Sequence, residues 1–114
     1  PMLLEDYFDF LSPDDIRVRG HRLGIDDVLT PYLEGQDPEQ IQWTYPTLSL
    51  EEIHATITYY WHNRHAVDAY LERVKEITAE RMATYDRLPE AERPEVVRRL
   101  RALRALRQAE AESR

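Results

Sequence analysis

His62, His65 and Asp68 recur at three-residue intervals, and a His-x-x-His pair on one helical face can ligate zinc. A zinc site needs a further convergent ligand, and the chain has no cysteine to supply a thiolate. Structural or solvent-facing histidines are therefore the expectation, with no metal and no cofactor. Nor is there a glycine-rich phosphate loop or a nucleophile spaced from a base. The carboxylate pairs Asp14-Asp15 and Asp26-Asp27 fall where a turn and a helix cap are needed, so they read as local structure rather than as general acid and base. No small-molecule substrate is implied, and the expectation is a protein that is not an enzyme.

The residues that remain are arginines. Residues 93–107 hold six of them against Glu95 alone, interleaved with Val96, Val97, Leu100, Leu103 and Leu106. The rest of the chain is acidic. Residues 1–63 carry twelve Asp or Glu against three Arg, a charge of −9, while residues 64–114 carry +2, for a net −7. An acidic body with a basic, apolar arm points to macromolecular binding.

The elements that position these groups follow from periodicity and punctuation. Phe8 and Phe10 alternate, the Ser12-Pro13-Asp14-Asp15 cluster turns, and Ile16 and Val18 alternate with Arg17 and Arg19; Gly20 permits a reversal into Leu23 and Ile25. This predicts two or three short strands over residues 7–25. Asp26 or Asp27 is expected to cap a first helix carrying Val28, Leu29, Tyr32 and Leu33, ended by Gly35. Asp37, Pro38 and Gln40 predict a second helix, stopped at Pro46. Ser49 and Glu52 form a capping box for a third, with Leu50, Ile53, Ile57, Tyr60 and Trp61 on its inner face and Glu51, Glu52, Ala55, Thr56, Thr58, Tyr59 and His62 on its solvent side. A fourth helix is expected over residues 64–88, with Val67, Leu71, Val74, Ile77, Met82 and Tyr85 as its stripe, and Pro94 opens a fifth.

The fold class is thus mainly α. A short N-terminal β-hairpin and a helix-turn-helix-like trihelical core occupy residues 1–63, a long helix residues 64–88, and a basic amphipathic helical arm residues 89–114. Pro1 before Met2 resembles a residue left by protease processing and is set aside. No apolar run approaches the roughly 20 residues of a membrane span and no signal pattern opens the chain, so a cytoplasmic, bacterial-type setting is expected. Trp43, Trp61 and seven tyrosines supply core and interface area.

A series of short motifs resembles a known family. Arg19-Gly20-His21-Arg22-Leu23 is followed by Val28-Leu29, Gly35, Pro38-Glu39-Gln40-Ile41, Tyr45-Pro46-Thr47-Leu48, Glu51-Glu52-Ile53-His54-Ala55 and Tyr59-Tyr60. Over roughly residues 8–70 this is similar to family 433 of the domains of unknown function. The sequence departs from the family at Ser12-Pro13-Asp14-Asp15, where paired glycines and a proline are usual, and at His21, where threonine is. The resemblance implies a hairpin with a helix-turn-helix-like fold, frequent homodimers, and a VapB-like antitoxin that neutralises a PIN-type ribonuclease toxin.

Two binding surfaces follow as expectations. Operator DNA would meet Arg17, Arg19, Arg22, Thr47, Ser49, Ala55 and Thr56. The third helix has no Lys or Arg of its own, however, and phosphate neutralisation supplies most of a DNA binder's affinity. A partner protein would meet the arm, through Val96, Arg98, Arg99, Leu100, Arg101, Leu103, Arg104, Leu106 and Arg107, because an isolated amphipathic helix needs a surface to pack on. By resemblance, one of these arginines enters the carboxylate cluster of the nuclease, and nothing in the sequence selects which. The arm lacks the aromatic anchors of a membrane-surface helix. The alternatives are a stand-alone regulator or a homo-oligomeric interaction protein whose arm completes its own fold.

Overall fold

Capping chemistry sets most of the helix starts. Asp37 Oδ1 accepts the Gln40 N–H at 2.9 Å while Gln40 Oε1 accepts the Asp37 N–H at 2.9 Å, which closes the start of α2, Pro38–Thr44. Ser49 and Glu52 make the same reciprocal pair at 2.9 and 3.0 Å and open α3, Leu50–His62. The computed structural model describes residues 1–92 and 94–112, apart from the side chains of Val96 and Val97.

The start of α1, Ile25–Leu33, differs from the sequence expectation. Neither Asp26 nor Asp27 is its cap. Gly24 holds that place, and its N–H donates to Asp27 Oδ2 at 2.9 Å. Gly24 is fixed by a bridge to Arg17, and the fully buried Ile25 is drawn straight into the helix. That is also why no third strand forms among the described residues: the Leu23 carbonyl accepts from Val18 N–H at 2.9 Å, and the chain then turns helical. A Cβ at Gly24 would lie 2.2 Å from Asp26 Oδ1. The earlier start leaves Pro31 inside α1, where its ring withholds an N–H from the carbonyl four residues back. Gly35, at φ +103, ends the helix. Its N–H reaches the Tyr32 carbonyl and the Gln36 N–H reaches the Pro31 carbonyl, at 3.1 and 3.0 Å, the double closure of a Schellman motif.

A 3-10 turn over Leu4–Tyr7 leads into β1, Phe8–Ser12, which pairs antiparallel with β2, Asp15–Val18. Phe8 faces Val18 and Phe10 faces Ile16, with an irregularity between Phe10 and Ser12. Two strands this short need a surface to pack on. Phe8 supplies one contact by joining Ile25, Leu29, Tyr60, Val67 and Tyr70 in a buried cluster. A second cluster gathers Val18, Val28, Ile41, Leu48 and Ile53. α1, α2 and α3 pack pairwise around these clusters, giving the helix-turn-helix-like trihelical core. The first residues of α4, Arg64–Asp86, close it through Val67 and Tyr70, whose hydroxyl accepts the Ile16 N–H at 3.1 Å. Arg73 ties the same helix to the hairpin turn, bonding Asp14 at 2.9 Å and the Pro13 carbonyl at 3.0 Å.

The chain divides inside α4 into a compact unit of Pro1–Lys75 and a second unit beginning at Glu76. The second contains the remainder of α4, a 3-10 turn at Glu90–Glu92 and α5, Glu95–Glu112, which opens directly after Pro94. Among the described residues, no helix is long and apolar enough to cross a membrane.

Candidate functional site

The two surfaces expected from the sequence fare differently. On the face expected to meet DNA, Ala55 is 7% exposed and Thr56 is 0% exposed, so neither lies on the solvent side of α3. The Thr56 hydroxyl donates to the Glu52 carbonyl at 2.8 Å. The reason is the width of the buried arc. α3 packs against α1, α2 and the N-terminal 3-10 turn, so small residues beside the Ile53–Tyr60 stripe are enclosed as well. Arg17 forks onto both Asp15 oxygens at 2.9 Å. Arg19 bonds Asp9 at 3.1 Å and the Phe8 carbonyl at 3.2 Å. The Ser49 hydroxyl is engaged in its capping box. Arg22 and Thr47 are exposed. What α3 turns outward is Glu51, His54, Thr58, Trp61 and His62, a face without a permanent cation.

Two contacts at the start of α3 were not legible in the sequence, because they join residues far apart in the chain. His21 Nε2 lies 3.0 Å from Glu52 Oε2, and the Tyr7 hydroxyl donates to the Glu51 carboxylate. Burial alone would raise the Glu52 carboxyl. Hydrogen bonds from Ser49 and the charge and hydrogen bond of His21 outweigh it and hold the group below its ordinary value. Asp26 moves the other way, raised by burial and by the adjacent Asp27. His62 and His65 are exposed, while Asp68 accepts the Tyr60 hydroxyl at 2.8 Å. Among the described residues no cluster of three His, Asp or Glu is arranged to hold a metal ion.

The arm presents a different surface. Leu100 and Leu103 are each 53% exposed and Leu106 is 61% exposed. Leu100 and Leu103 line a groove of about 280 Å³ with Met82 of α4, and Arg101, Arg104 and Arg107 also border it. Arg101 pairs with Asp86 and reaches the Met82 carbonyl at 3.4 Å, and Arg99 pairs with Glu95 one turn back at 2.7 Å. Arg98, Arg104 and Arg107 have no carboxylate partner among the described residues. The Val96 side chain lies outside the described residues. The arm therefore holds a half-covered apolar row beside guanidinium groups that lack a carboxylate partner among the described residues, and these can engage a partner's aliphatic side chains and carboxylates together.

No curated protein and no solved structure matches the chain. A family model does match, over a narrower span than the motif resemblance, and it takes in β2, α1, α2 and most of α3 but neither β1 nor α5. Residues 14–60, the heart of the trihelical core, match the family described as protein of unknown function (DUF433).

Proposed function

We propose that this protein is a VapB-like antitoxin of the bacterial cytoplasm, whose α5 arm binds and neutralises a PIN-type ribonuclease. The observation that carries the reading is the state of α5: three leucines more than half exposed, beside three arginines without carboxylate partners among the described residues. Exposed leucines in a row lose most of the benefit of burial, roughly 25 cal/mol for each Å² of apolar surface left in water. A partner surface that covers them recovers it. The arginines add orientation, since a guanidinium fork matches a carboxylate in two parallel hydrogen bonds. The motif resemblance supplies the nuclease class. Operator DNA is not assigned to α3, whose outward face is uncharged or acidic and whose Ala55 and Thr56 are buried. We pair this reading with a homodimeric body, on the strength of Trp43, which is 79% exposed on α2.

The test is co-expression of the full chain with a PIN-type ribonuclease from the same genome. A complex that co-purifies in stoichiometric amount and restores growth supports the reading. Nucleases that neither co-purify nor lose toxicity overturn it.

A further inference from the structure

The arm is written in triplets: Leu100-Arg101-Ala102, Leu103-Arg104-Ala105, Leu106-Arg107-Gln108. A helix needs about 3.6 residues per turn, so a three-residue repeat slips back by about 60° at each step. The leucine row and the arginine row therefore run side by side and spiral together around α5. Leu100 and Leu103 still face Met82 across the groove, while Leu106 has rotated out of it. The product is a concave apolar floor of Met82, Leu100 and Leu103, bordered by the row Arg101, Arg104 and Arg107.

We infer that this groove, between the second half of α4 and α5, receives an acidic amphipathic helix from the partner protein. This deepens the reading of the arm as a binding surface and rests on it. Charge complementarity selects the occupant. Arg101 is already matched by Asp86, but Arg104 and Arg107 have no carboxylate among the described residues, and residues 98–109 contain no Asp or Glu. The occupant must bring carboxylates to the rim and aliphatic side chains to the floor. A helix with apolar residues at i, i+3, i+4 and i+7 and Asp or Glu beside them does both. A nucleic acid would satisfy the arginines but leave the leucine floor wet. A bilayer surface is flat where the groove is concave, and α5 has no Trp or Tyr to anchor there. A second copy's α5 would meet this rim with like charge.

The test uses the full chain and a fluorescein-labelled synthetic peptide with leucines at i, i+3, i+4 and i+7 and glutamates at flanking positions, read by fluorescence anisotropy. The comparison peptides are a scrambled version of the same composition, a Glu→Gln version and a Glu→Lys version. We expect saturable binding of the acidic amphipathic peptide and at least about tenfold weaker binding by the Arg104→Glu/Arg107→Glu variant. That variant should gain binding to the Glu→Lys peptide. Both positions are exposed, so helix content by circular dichroism should be unchanged, which separates lost binding from lost folding. Equal binding of the scrambled peptide, no binding at all, tighter binding to anionic vesicles or duplex DNA, or blockage of the groove by self-association overturns the inference. The ribonuclease experiment is separate. If the double variant still captures the nuclease but has lost the peptide, the groove inference falls and the antitoxin reading stands. If the peptide binds and no nuclease ever does, the antitoxin reading falls and the groove stands.

Discussion

Thr56 and Asp26 show how single positions in the core are constrained. Thr56 satisfies its hydroxyl on the Glu52 carbonyl inside its own helix, so Thr56→Val, nearly the same shape, should cost less than about 1 kcal/mol. Thr56→Arg forces a guanidinium into a fully buried site and should cost about 3 kcal/mol or more by urea unfolding. A tolerated arginine there would return α3 to consideration as a DNA-facing helix. Asp26 and Glu52 should respond to pH with opposite signs. The carboxyl of Asp26 is raised above 3.8 in the fold, so its stabilising contribution is complete below that value and is lost as pH rises through the folded one. Asp26→Asn should therefore raise the melting temperature at neutral pH, with the gain shrinking in acid. Glu52 is held below 4.5, so its contribution is present above that value and disappears as pH falls through the folded one. Glu52→Gln should be less stable than wild type above pH 4.5, and the two melting curves should converge in acid. A deficit independent of pH would contradict the His21–Glu52 account.

Among the elements, α3 and α5 are opposites. α3 is enclosed on several sides, and its neighbours decide which residues it buries. α5 carries an apolar row that drifts around its axis, and a single neighbouring helix covers only part of that row. Leu106, rotated away from Met82, should accordingly be replaceable: Leu106→Ser is expected to shift stability by no more than about 0.5 kcal/mol by thermal melting. Ile53→Ala, in the enclosed cluster, should cost about 2–5 kcal/mol. A large loss at Leu106 would mean that the chain itself covers that leucine, and the arm would then have much less apolar surface to offer a partner.

For the molecule as a whole, the division inside α4 separates fold from arm. Every residue of the two buried clusters lies at or before Tyr70. A chain ending at residue 88 should keep the cooperative unfolding transition of the body, followed by Trp43 and Trp61 fluorescence, while losing ribonuclease capture. Collapse of the body on this truncation would contradict the assignment of the arm as a binding element. The charge asymmetry has the same reach. Residues 1–63 repel nucleic acid through a charge of −9, and the arginines of α5 without a carboxylate among the described residues attract acidic partners, so complex formation should weaken as salt rises.

The order and type of the elements were legible in the residues, because the signals are local. Asp37 with Gln40, Ser49 with Glu52, Gly35 and Pro94 each act within a turn of where they stand, so the helix starts at Pro38, Leu50 and Glu95 and the stop after Leu33 could be read directly. The basic, leucine-bearing character of the arm was equally plain. What the local signals could not settle was everything decided by a neighbour distant in sequence: Gly24 rather than an aspartate capping α1, Ala55 and Thr56 enclosed, His21 meeting Glu52, and Leu106 turned from the groove that takes Leu100 and Leu103. A cap or a turn is satisfied by atoms three or four residues away, whereas burial depends on how many other elements arrive at the same face, and only the packed chain determines that number.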